Sequence, residues 1–112
     1  MRDYMRELDC AVGDLIAAIR ETKEYEAYQR EKTRVDRFPE LRAQIDAFRD
    51  ENYKLQSMPE DEDLFQKMEE FERRYEKFRE DPLVSDFLAA ELDFCRMMQQ
   101  VFAQVTSALD FD

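Results

Sequence analysis

Apolar residues recur along this chain at alternating spacings of four and three, the period of one helix face. Over residues 3–22 the line is Leu8, Val12, Leu15, Ile16 and Ile19, which predicts a first helix with one apolar side. Gly13 interrupts it at a cost of about 1 kcal/mol against Ala. It is either a tolerated surface glycine or a point where another helix comes close. A second helix is predicted over 24–36, either separate or a bent continuation of the first. Its stripe is weaker, with Tyr25, Tyr28, Val35 and Phe38. Pro39 then suits the first turn of a third helix, where its missing N–H costs nothing. That helix carries Leu41, Ile45, Phe48 and Leu55, with Asn52 as a polar break.

The stretch "SMPEDED" is the first clear loop, and its acids suit the positive end of the next helix. The fourth helix, expected to run unbroken to about Arg79, keeps its spacing through Leu64, Met68, Phe71, Tyr75 and Phe78. Its other faces are charged, with Glu69–Arg73 and Glu70–Arg74 at i,i+4. The fifth is predicted over 82–109, with Asp81 as N-cap and Pro82 at the first turn. Its seam reads Val84, Leu88, Glu91, Cys95, Met98, Phe102, Val105, Leu109, and seven of these eight are apolar. A second line, Phe87, Phe94, Val101 and Ala108, widens the face. Such a helix spans about 40 Å, against a radius of gyration of about 13 Å for a domain of this size. The fourth helix can cover only part of it, so a second subunit is expected to cover the rest. The short "EDP" link predicts an antiparallel hairpin of the fourth and fifth helices.

Composition agrees with long helices and few connections. Among 112 residues there are one Gly and three Pro, too few turn formers for a sheet-rich fold. Charged residues make up 40 %, yet nine Phe and five Tyr argue for folding rather than disorder. The expected fold is all-α: an antiparallel bundle of about five helices with a long C-terminal helix, forming one domain over residues 1–112.

The net charge of −11 argues against DNA or an anionic membrane surface as partner. No apolar run approaches the ~18 residues that a membrane-spanning helix needs. The N-terminal "MRDYMRELDC" has no apolar signal core, and two distant cysteines do not make a disulfide framework. A cytoplasmic setting is therefore expected. The chain has no His, which removes the usual general base and the commonest zinc ligand. It has neither a glycine-rich phosphate loop nor a nucleophile elbow.

Three patches resemble the YlbF/YmcA family of small helical proteins from Gram-positive bacteria. They are "AVGDLIAAIRETKEYEAYQ" (Ala11 to Gln29), "FPELRAQIDAFR" (Phe38 to Arg49) and "DPLVSDFLAAELDFCRMMQQV" (Asp81 to Val101). The resemblance keeps the order of elements over nearly the whole chain. It implies an all-helical, usually oligomeric protein with no known catalytic site. It also implies a regulatory role: paralogues of this family join a complex that affects competence, sporulation and biofilm formation. That complex is tied to mRNA processing by RNase Y and can carry iron–sulfur clusters. The present sequence ends at "LDFD" without a cysteine-rich tail. No resident cofactor or metal is expected, and no shared cluster through Cys10 or Cys95. Cys95, on the seam, reads as a buried thiol behaving as a small hydrophobe, and Cys10 as the more exposed of the two.

The residues expected to build the core or an oligomer contact are Leu64, Met68, Phe71, Tyr75, Phe78, Phe87, Phe94, Met98 and Phe102. Glu91 is the polar exception on the seam. A buried unpaired carboxylate is very costly, whereas a paired one roughly breaks even. Glu91 therefore either reaches water at the seam edge, binds a metal or partner, or pairs with Tyr28, Arg30, Arg34 or Arg37 as a lock between the second and fifth helices. A polar seam residue of this kind can set register or oligomer state.

Charge is uneven: Arg20 to Arg42 holds seven basic residues against six acidic, and Pro82 to Asp112 one against five. The mildly basic "YQREKTRVDR" reads as a solvated mixed face, or as a docking face for an acidic partner or RNA. Two functions stay open. The first is a non-enzymatic, homo-oligomeric adaptor of the YlbF/YmcA type, with paralogues and an RNase Y-associated complex as partners. The alternative is an acidic nucleic-acid mimic or decoy that binds a basic protein.

Overall fold

The computed structural model describes residues 2–110, with side chains from residue 5 onward. Six helices follow one another, and no strand occurs among the described residues. They are α1 (Arg2–Arg20), α2 (Lys23–Asp36), α3 (Pro39–Gln56), α4 (Glu62–Arg74), α5 (Glu76–Glu80) and α6 (Pro82–Ala108). The expected all-α architecture with a long last helix is present.

The residues between the helices explain each stop and start. Thr22 separates α1 from α2. Its hydroxyl donates to the Ile19 carbonyl (2.7 Å) and accepts from the Tyr25 N–H (3.1 Å). One side chain thus satisfies an end of each helix. Pro39 opens α3 in its first turn. The Asp61 carboxylate accepts from the Leu64 N–H at 2.9 Å and caps α4. Asp81 ends α5 in extended backbone and accepts from the Leu83 N–H at 2.9 Å, with Pro82 next in line. At the far end, Asp110 adopts a left-handed conformation (φ 52°), which Asp tolerates better than most residues.

The fourth predicted helix is two helices. Tyr75 separates α4 from α5 at φ −100°, ψ 8°, yet its N–H still bonds the Phe71 carbonyl and its own carbonyl accepts from Arg79. The apolar spacing runs through the break unchanged, which is why the pattern reads as one helix.

The described chain divides into two compact units, Glu31–Ala89 and Met1–Arg30 with Ala90–Asp112. In the first, Val35, Ile45, Val84 and Phe87 are fully buried, and Phe48, Leu64 and Phe71 nearly so. Phe48 of α3 is the hub. Its ring centroid lies 5.2 Å from Phe71, 5.1 Å from Tyr75 and 5.7 Å from Phe78, so α3 packs on α4 and α5 through aromatic rings. The Arg42 guanidinium sits 5.3 Å from the Phe87 ring centroid and the Arg79 guanidinium 5.8 Å from that of Phe48, both within cation–π range.

The second unit has a different character. Ala90 is its only buried residue among those described. Tyr28 stacks on Phe94 at 5.3 Å, and Tyr25 meets the same ring edge-on at 5.7 Å. Every residue from 5 to 18 is exposed, although α1 carries a regular apolar stripe.

Candidate interaction surface

Helical periodicity marks which side of a helix is apolar; only packing decides what covers it. The nine residues expected at the core or an oligomer contact fall into separate groups. Leu64, Phe71 and Phe87 are buried within their own unit, and Tyr75 and Phe78 are half-buried against Phe48. Phe94 is half-buried under Tyr25 and Tyr28. Met68, Met98 and Phe102 are exposed. The apolar face of α6 is therefore covered at its start, at Val84 of the seam and Phe87 of the second line, and open toward its end, at Met98, Phe102, Val105 and Leu109.

The α1 stripe is open as well. Met5, Leu8, Val12, Leu15 and Ile16 are all exposed. A Cβ built on Gly13 meets nothing within 4 Å, so no close approach to that position exists among the described residues. Cys95, read from the sequence as a buried thiol, is exposed, as is Cys10. The seam has already begun to open at that turn of α6.

A buried acid does lie beside α6, and it is Glu31 of α2. Arg34, one turn later, bonds the Glu31 carboxylate and also donates to Asp86 of α6 at 3.3 Å. These two acids raise the Arg34 pKa, the hydrogen bond to Asp86 more than the charge of Glu31. Arg34 was one of the bases expected to tie the second helix to the last, and Asp86 lies five residues before Glu91. Glu91 and Tyr28 are half-buried and engaged; Arg30 is exposed and engaged, and Arg37 is exposed. Nothing in the sequence around Glu31 distinguishes it from neighbouring surface acids. Its one signal is the i,i+3 spacing to Arg34, which is common on solvated helices.

A second polar cluster joins α3 to α4. Glu51 accepts from Arg74 at 3.3 Å. Partial burial, then the neighbouring Glu51 charge, push the Tyr75 hydroxyl above its ordinary range.

The basic stretch of α2 is divided between uses. Arg34 is held by its two acids. Arg30 lines an open groove of 530 Å³ with Lys23, Arg96, Glu24 and Asp93. Three cations and two acids give that groove little net charge. No group of three or more His, Cys, Asp or Glu side chains among the described residues is placed to hold a metal ion. No described helix is long and apolar enough to cross a membrane.

What the geometry offers is apolar helix face left open in one unit and a well-packed aromatic core in the other. Residues 11–110 match the family described as Control of competence regulator ComK, YlbF/YmcA. The chain belongs to this family. No curated protein and no solved structure matches the chain. Membership of YlbF/YmcA makes it a regulatory, all-helical protein. The match begins at Ala11 and ends at Asp110, so it takes in about half of α1 and all of α6, the two helices whose faces are open.

Proposed function

We propose that this protein is a non-enzymatic adaptor of the YlbF/YmcA type, homo-oligomeric and acting through contacts between long helices and other proteins. One observation carries the reading: α1 and the second half of α6 expose large apolar residues along whole stripes. Monomeric proteins seldom leave such continuous apolar faces in water, and those that do mark an interaction surface. Family membership supports the regulatory half, with control of the competence regulator ComK as the described role. Paralogous family members and an RNase Y-associated complex are the partners to look for.

Affinity purification of the tagged full chain from its native cell, read by mass spectrometry, tests this. Recovery of paralogues or RNase Y is the expected result. Recovery of neither, from cells that make both, sinks the regulatory reading.

A further inference from the structure

The charges along α1 are arranged differently from those of the other helices. α1 runs for 19 residues, and every residue from 5 to 18 is exposed. Met5, Leu8, Val12 and Leu15 recur at spacings of three, four and three, the core positions of a coiled-coil seam, and each is between 42 % and 54 % exposed. Ile16 widens the stripe. Most helical stability in proteins comes from packing such a face, and this one is open.

The two edges of the stripe differ in charge. At 100° per residue, positions seven apart fall nearly on one line along a helix. Along one edge that line is Glu7 and Asp14. Glu21 continues it in the turn just past the helix, where its N–H bonds the Ala18 carbonyl at 3.2 Å. All three acids are exposed, and none has a base three or four residues away in the chain. The acids of α4 do, in Glu69–Arg73 and Glu70–Arg74. Between the acidic line and the stripe stand Ala11 and Ala18, also exposed.

We propose that α1 is the docking helix for an amphipathic helix of another protein, one with Lys or Arg at seven-residue spacing along a flank of its apolar stripe. The inference rests on the adaptor reading and names the chemistry of one partner. The open seam of α1 takes the partner's stripe, as in a two-stranded coiled coil. Ala11 and Ala18 leave room at the edge. Long basic side chains lay their apolar stems there and put their charged heads on Glu7, Asp14 and Glu21. The partner thus supplies the counter-charges that the acids lack on their own helix. An anionic membrane surface, another common cover for an amphipathic helix, is repelled by the same acids. A second copy fits poorly as well. Set parallel, it brings Arg6, Gly13 and Arg20 from its opposite edge and leaves the middle acid without a base. Set antiparallel, it brings acids against acids.

The probe is a fluorescent helical peptide of about three heptads, with Leu along its seam and Lys at every seventh position of one flank. Its anisotropy with the full chain is expected to show saturable binding that weakens as salt rises. A control peptide with Glu in place of those Lys is expected to bind at least ~10-fold more weakly, which is the order of three exposed charge pairs together. Glu7→Lys with Asp14→Lys is expected to reverse that preference. Leu8→Gln with Val12→Gln is expected to lose the Lys peptide while circular dichroism and light scattering stay as in the wild type, since both side chains are exposed. A Lys peptide that binds no better than the Glu peptide, or a preference that the Lys variant leaves unchanged, overturns the inference. So does a smaller mass for the Gln variant, which would place a second copy on α1. Binding as described, with no paralogue or RNase Y recovered from the native cell, supports this inference and counts against the regulatory reading alone.

Discussion

Arg34 and Asp86 stand 52 positions apart in the chain, yet the Arg34 Nη1 lies 3.3 Å from the Asp86 carboxylate. The same guanidinium holds Glu31, whose side chain is only 12 % exposed against 54 % for Asp86. The two acids therefore depend on Arg34 unequally. Water can replace it at Asp86 and is largely shut out at Glu31.

This inequality gives a ranking. Arg34→Ala takes a charged partner from a buried carboxylate and is expected to lower the melting temperature clearly. Asp86→Asn removes an exposed acid and is expected to move it much less. Thermal melts of both variants check the order. Equal effects would mean that Glu31 does not rely on Arg34.

The aromatic core predicts a second contrast. Phe87 is fully buried beneath the Arg42 guanidinium, so Phe87→Ala is expected to cost about 3–5 kcal/mol. Met68 belongs to an equally regular stripe but is 41 % exposed, and Met68→Ala is expected to cost less than about 1 kcal/mol. Urea denaturation of the two variants separates them. Similar losses would show that the α4 stripe is covered in solution at Met68 as well.

Those two residues show how much of the fold the sequence carries. Helix starts were legible because Pro39, Asp61, Asp81 and Pro82 each act on their own neighbours, within a turn. The break at Tyr75 was not, since the apolar spacing passes through it without a fault. Nor was the fate of the long seam. Val84 and Phe102 both lie on that seam, and one is fully buried while the other is open. Periodicity records that a face is apolar, whereas its cover comes from residues far away in the chain. Glu31 was illegible for the same reason: it looks like any surface acid until the fold buries α2 around Val35. Glu91 draws the eye as a polar lock because an acid in an apolar line stands out; an acid in a charged helix does not.

Tyr75 predicts a pH dependence. Partial burial and the Glu51 charge favour its neutral form, so its folded pKa lies above the ordinary value of about 10. A group raised in this way contributes stability that is fully present below the unfolded pKa and is lost as pH rises through the folded one. Stability is thus expected to fall on the alkaline side of pH 10, and Tyr75→Phe to flatten that fall. Urea midpoints of both proteins across the alkaline range measure it. An unchanged alkaline slope in Tyr75→Phe would clear Tyr75 of the effect.

Gly13 offers a gain rather than a loss. It lies inside α1, where glycine is less favourable than alanine because it costs more backbone entropy to order. Nothing stands within 4 Å of a Cβ built there, so alanine fits without displacing a neighbour. One residue past Val12, it sits about 100° round the helix from that member of the apolar stripe. Gly13→Ala should therefore raise stability by about 0.5–1 kcal/mol, with the oligomeric state unchanged. Thermal melts and light scattering of the variant read both quantities. A destabilised or dissociated Gly13→Ala would place another copy's backbone against this position.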